Sequence, residues 1–160
     1  MTTKGKGTMT SLWFKARTGS AIAVLSLVLA VIAAGSSLAA VDSTVKVKLW
    51  NKNDGSQGIT LTPAKIKAGK VTFEVKNIST NLEHELMFDR TNLAPDQLPT
   101  MPETAKVDEG KLKHFHEFGD LSPGESHTWT ADLKPGRYIM FCNEVGHFGA
   151  GMHTILTVTP

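Results

Sequence analysis

From Val45 onward hydrophobic and polar residues alternate in short runs, and Gly, Pro and Asn break each run before a helical period can build up. Val45, Val47 and Leu49 alternate with Lys46, Lys48 and Trp50, which predicts a first strand with one buried face. Asn51-Lys52-Asn53-Asp54-Gly55 turns the chain, Ile59 and Leu61 continue in a short strand, and Pro63 closes it. After the Ala68-Gly69-Lys70 turn, Val71-Thr72-Phe73-Glu74-Val75-Lys76-Asn77 is the clearest alternation in the chain. Leu82 to Asp89 follows, with His84 on the same face as Leu82, Leu86 and Phe88. Residues 90–112 carry Pro95, Pro99 and Pro102 without a sustained period, which predicts a long loop holding at most one helical turn. Lys113 to Phe118, Ser126 to Ala131, Arg137 to Cys142 and His153 to Val158 complete the set, separated by turns at Leu121 to Glu125 and Lys134 to Gly136. About seven or eight short strands with turns every 8–12 residues predict an all-β Greek-key β-sandwich, although a closed barrel shares the pattern.

The first forty residues read differently. Lys4, Lys6, Lys15 and Arg17 stand without an acid, Ala21 to Ala34 is an apolar run, and Gly35-Ser36-Ser37-Leu38-Ala39-Ala40 supplies small residues. This is the layout of a secretory signal peptide, with Ser37-Leu38-Ala39 as the best cleavage pattern. The apolar run holds 14 residues, short of the roughly 18 of a membrane span, so cleavage is favoured over an uncleaved anchor. The expected organisation is a signal peptide over 1–40 and one domain over 41–160. Contact with a membrane is expected only if the leader is retained.

Removing the leader changes the charge. It holds 4 of the 17 basic residues and none of the 15 acidic ones, so the remaining 13 basic residues leave a net charge of −2. A basic footprint for nucleic acid is therefore absent, and that class is set aside. The chain has 1 cysteine, which excludes an internal disulfide. An unpaired thiol in an oxidising compartment is a liability unless it is buried or metallated.

Metallation has specific support in the stretch that follows that cysteine. Cys142, His147 and Met152 place a thiolate, an imidazole and a thioether on one loop between two strands. Thiolate and thioether are soft donors that favour copper, and a His2Cys set with a weak axial Met is the mononuclear electron-transfer site. His84 is the candidate for the second His. On an inward strand face it needs either a hydrogen-bond partner or a metal. Zinc rarely recruits Met. A binuclear centre would need a second Cys in the loop, and a multicopper cluster needs His on both sides of the Cys, where Phe141 and Asn143 stand. A Cys142 nucleophile with a His147 base leaves Met152 and His84 unused and has no oxyanion device. His114 and His116 share a strand face and could hold a second copper ion with Met101 or Met87, or be solvated surface. His127 and His153 are read as structural, with His153 pointing away from Met152.

With these residues in place the chain resembles a cupredoxin. The likeness rests on Val71 to Asn77 leading to His84-Glu85-Leu86, on the Leu121-Ser122-Pro123-Gly124-Glu125 turn, and on Tyr138 through Met152. The Cys-x4-His-x4-Met spacing is similar to that of rusticyanin-like proteins and longer than that of plastocyanin or amicyanin. The resemblance implies one copper ion cycling between Cu(II) and Cu(I), with His84, Cys142 and His147 as equatorial ligands and Met152 as the axial one. Two positions depart from the pattern. Val145 stands where many relatives have Pro before Gly-His, and Glu85 follows His84 where Asn or Ser is common. The resemblance further implies a non-enzymatic, extracytoplasmic (periplasmic) electron carrier, expected as a monomer. Redox partners would dock around His147, with Gly146, Phe148, Gly149 and Ala150 as an apolar patch unless Phe148 packs into the core. The alternative is a protein that sequesters or delivers copper for copper tolerance.

Overall fold

The structure is a computed structural model and describes residues 42–160. The expected leader over 1–40 lies outside the described residues.

Strand β1 (Ser43–Asn51) buries Val45, Val47 and Leu49 and turns Thr44, Lys46 and Lys48 to solvent. It is followed by β2 (Gln57–Thr62), the three-residue β3 (Lys65–Lys67), β4 (Gly69–Asn77) and β5 (His84–Arg90). A small hairpin, β6 (Thr100–Met101) with β7 (Lys106–Val107), precedes β8 (Phe115–Leu121), β9 (Ser126–Leu133), β10 (Gly136–Phe141) and β11 (His153–Thr159). Eight of these run for six residues or more, the number the alternation predicts. One sheet has the order β2-β1-β4-β9 and the other β3-β11-β10-β5-β8. β1 runs parallel to β4 and β3 parallel to β11, and the other neighbours are antiparallel, which makes a Greek-key sandwich.

The two sheets close on Val45, Val47, Leu49, Val71, Phe73 and Val75 from one side and Leu86, Phe88, Tyr138, Met140, Leu156 and Val158 from the other. Each such side chain taken fully out of water contributes about 1.5–3 kcal/mol. At the open edge between β8 and β9 the seam is aromatic. The Phe118 ring stacks on Trp129 with centroids 5.3 Å apart and meets Phe73 at 5.1 Å. Phe118 reaches this position through an irregularity in the β5–β8 pairing. Leu86 lies opposite Gly119 and Met87 opposite Glu117, so Phe118 is the extra residue of a bulge. Gly119 takes a φ of 113°, which a side chain would resist.

The largest difference from the sequence reading lies at β5. Alternation predicts one buried face there, yet His84 through Asp89 are all buried. Residues 91–112 explain this, because they fold back across the outer face of the second sheet. Leu98 and Val107 from that segment pack with Met87, Ile139, Phe141 and Phe148 into a second apolar cluster. The segment is therefore a packed layer whose order comes from burial, not from a period. Its two short 3-10 turns, Pro95–Gln97 and Glu109–Lys111, are the only helical pieces among the described residues.

Leu98→Ala should lower unfolding stability by about 2–4 kcal/mol in a urea titration, the range for a buried Leu. A change below about 0.5 kcal/mol, as at exposed loop positions, would show that this layer does not contribute to the fold.

Candidate metal centre

The adjacent strands β5 and β10 carry the key donors to one end of the sandwich. His84 is the first residue of β5, and Cys142 directly follows β10. The loop from Cys142 to Met152 is closed by its own main chain. The Cys142 N–H donates to the Met152 carbonyl at 3.1 Å, and the Met152 N–H donates to the His147 carbonyl at 3.0 Å. Inside that loop the His147 N–H donates to the Glu144 carbonyl at 3.0 Å, a turn that Gly146 permits with a φ of 80°.

The result is a convergence of lone pairs. Nδ1 of His84 lies 3.2 Å from Nδ1 of His147, and Cys142 Sγ lies 3.3 Å from the latter and 4.0 Å from the former. His84 and Cys142 are fully buried, and His147 is half-buried. Met152 is also fully buried and belongs to the same core cluster as Cys142.

Neighbouring groups fix these donors. His84 Nε2 sits 2.7 Å from Ser79 Oγ, so Nε2–H donating to the hydroxyl leaves the Nδ1 lone pair facing the site. Ser79 is held by its own N–H, which donates to Asn77 Oδ1 at 2.9 Å. Asn77 Nδ2 in turn donates to the Leu82 and Leu121 carbonyls at 2.8 and 2.9 Å. The Glu85 N–H donates to Cys142 Sγ at 3.3 Å. The link between the two ligand segments is thus made by the main chain, which leaves the side chain after His84 free to be Glu.

The loop that lacks a Pro before Gly146 is steadied from outside. Gly146 N–H donates to the Thr104 carbonyl at 2.8 Å. Asn143 Oδ1 accepts from the Val107 N–H at 2.7 Å, while its Nδ2 donates to Glu109 Oε1 at 2.6 Å. At Gly149 a Cβ would come within 2.8 Å of Ala105 Cβ, so the two loops touch too closely for any side chain there.

The electrostatics suit a cation. Burial pushes the Cys142 thiol up to about 12, against the pull of the Glu144 and Glu85 N–H groups. Burial, followed by the charge of His147, pushes His84 down to about 4. Burial also lowers His147. Without a metal all three groups are therefore neutral at pH 7, and a divalent cation offsets the desolvation of the thiolate. Beside them, Glu85 is raised to about 7 by burial and then by Glu117, Asp120 and Glu109.

The remaining histidines lie elsewhere. His114 and His116 are exposed, and His116 stacks on Phe88 with centroids 5.2 Å apart. Neither belongs to a cluster of three His, Cys or carboxylate donors among the described residues, and Met87 is buried in the second apolar cluster. His127 pairs with Glu125 at 2.7 Å, and His153 lies against Phe148 at 5.3 Å. Phe148 takes the core-packing alternative. It is buried, meeting Phe141 edge-on at 5.8 Å, because residues 91–112 cover it. Ser79, Asn77 and Asn143 were not singled out by the sequence reading. The Asn77-x-Ser79 spacing just ahead of the first His is the one local signal that marks two of them.

A buried thiol and two imidazoles converging at the end of a Greek-key sandwich define a mononuclear copper protein. The chain belongs to the family of copper binding proteins of the plastocyanin/azurin type, or cupredoxins, whose profile matches residues 46–159, and its cofactor is copper. No curated protein matches the sequence. Among solved structures, auracyanin B is 22% identical over 74% of this chain and 89% of its own, with a TM-score of 0.52. Rusticyanin from Thiobacillus ferrooxidans is 14% identical over 73% and 77%, with a TM-score of 0.54. At such identities the likeness establishes the fold.

Two outcomes check the site. Ser79→Ala should weaken copper binding by about ten- to a hundred-fold in a competition titration, the range for partners that orient a His ligand. Between pH 7 and 9 the imidazoles are neutral and the thiol still protonated, so copper binding should release one proton. Apparent affinity should then rise about ten-fold per pH unit, and a slope near zero would show that Cys142 keeps its proton.

Proposed function

We propose that His84, Cys142 and His147 hold one copper ion as equatorial ligands with Met152 as the axial one, and that the protein is an extracytoplasmic one-electron carrier. The observation that carries this reading is the preset convergence of the three donors, with His84 tied to Ser79, Cys142 to the Glu85 N–H, and His147 held through its own N–H to the Glu144 carbonyl. Bound copper would supply the Cu(II)/Cu(I) couple. A scaffold that keeps one geometry for both states lowers the rearrangement that each transfer demands.

The surroundings support a carrier over a catalyst. Cys142 has no exposed surface, and its thiol stays protonated, so it is a poor nucleophile. His147 is half-buried, and its Nε2 has no partner among the described residues, which makes this ring edge the natural route for electrons. Around it Val145 is 64% exposed, and Gly149, Ala150 and Gly151 are exposed. An exposed stretch of small, weakly polar residues of this kind suits brief docking of a redox partner. Phe148 would support that surface from below. Among the described residues no helix is long and apolar enough to cross a membrane. Export rests on the leader-like composition of residues 1–40.

Voltammetry of the copper-loaded protein tests the carrier reading. Fast, reversible one-electron cycling with an intense thiolate absorption band is expected, and slow or irreversible cycling with ready copper exchange would favour copper storage or delivery. Cys142→Ser should abolish the band. Met152→Leu should retain copper while shifting its potential, since the axial ligand tunes the site more than it holds it.

A further inference from the structure

On the outer face of β5 a second group of donors converges. Glu85 lies directly across from Asp120 of β8, and Glu144 comes from the loop that carries Cys142 and His147. One oxygen from each of the three carboxylates lies within 4.8 Å of the others. Acidic clusters at a surface are ordinary, but Glu85 is not at the surface. It is 8% exposed, and its carboxylate accepts no hydrogen bond and makes no ion pair among the described residues.

The rest of the fold does not treat sunken carboxylates this way. Asp89 is 4% exposed and accepts from the His114 N–H at 2.9 Å, and Glu109 accepts from Asn143. The positive charge that acts on Glu85 is Lys106 of β7, which forms no ion pair with it. A carboxylate on a residue that is nine-tenths buried, converging with two others and accepting no hydrogen bond among the described residues, keeps its lone pairs free for a cation.

We propose that Glu85, Asp120 and Glu144 form a calcium site one residue away from the copper ligand His84. Three carboxylates are a hard donor set, which selects Ca2+ or Mg2+ over softer metals. Ligand number decides between these two: Mg2+ keeps several of its waters and is usually held by one or two carboxylates, whereas Ca2+ takes about six to eight oxygens in a flexible shell, so three converging carboxylates suit calcium. The exposed Asp120 leaves the outer side open to water ligands.

Such an ion would tie Glu144 of the copper loop to β5 and β8. It would also set a positive charge beside the residue whose N–H donates to Cys142 Sγ. A nearby cation disfavours Cu(II) relative to Cu(I), so calcium raises the copper potential.

The test is calorimetry of the copper-loaded protein titrated with calcium chloride alone. One saturable site is expected, with a Kd of about 10⁻⁴–10⁻³ M as in extracellular modules. Asp120→Asn and Glu144→Gln should each weaken it at least ten-fold, and Glu74→Gln, an exposed carboxylate of β4 in the other sheet, should leave it unchanged. No saturable heat up to about 10 mM, ten times the weak end of that range, or equal heat in both site variants, overturns the site. Magnesium binding as tightly as calcium overturns the choice of ion. Voltammetry then reads the coupling, which requires a calcium-dependent rise in potential that Asp120→Asn removes. A protein that stores copper without cycling it would still bind calcium, so this inference and the carrier reading fail separately.

Discussion

Burial of an uncharged thiol against two uncharged imidazoles is the constraint on which this structure turns. Cys142 Sγ and the two Nδ1 atoms converge to within 3.2–4.0 Å of one another at a largely buried end of the sandwich, and burial keeps them uncharged at neutral pH. That arrangement is poor for a metal-free protein, since it sacrifices solvation of three polar groups. It is good for a soft cation, because no ligand needs to be moved into place and only one proton must leave. The sandwich is the means of imposing it. β5 and β10 are neighbours in one sheet, and the pairing that sets Phe141 opposite Met87 brings Cys142 alongside the first residues of β5.

Two layers of support surround those donors, and they differ in kind. On the core side the support is local. Asn77 at the end of β4 and Ser79 in the connection to β5 orient His84 through one amide and one hydroxyl. On the outer side the support is borrowed from a segment distant in sequence. Thr104, Ala105, Val107 and Glu109 meet Asn143, Gly146 and Gly149 across the sheet surface. The first layer sets a tautomer and the second sets the path of a loop. A proline ahead of Gly146 would stiffen the loop from within, and here a neighbouring layer stiffens it from without.

This difference explains what could be read in the chain. Soft or titratable residue types are few, so Cys142, His147 and Met152 announce a site by spacing, and His84 stands out on a strand that otherwise carries apolar residues on that face. Strands such as β1 and β4, buried on one face, were equally legible because their period survives in the residues themselves. Residues 91–112 carry no period, since Leu98 and Val107 are separate anchors in an irregular path. Their role could not be read without knowing what they cover. The same blind spot made Phe148 look available for an exposed patch and hid the double burial of β5. Glu85 is the sharper lesson. It departs from the family pattern in its side chain, whereas the tie it makes to Cys142 is an amide that every residue except proline has.

The contact between Gly149 and Ala105 limits how this protein can be rebuilt. Loops joining two strands are usually treated as interchangeable parts, replaced by shorter or longer versions while the sandwich stays constant. Here the loop from Cys142 to Met152 is one half of an interlocked pair, and its other half lies near residues 101–109. Transplanting the metal loop alone would leave Thr104 and Val107 facing a surface that no longer matches them. The unit of modularity, for design and for descent alike, is the two loops together.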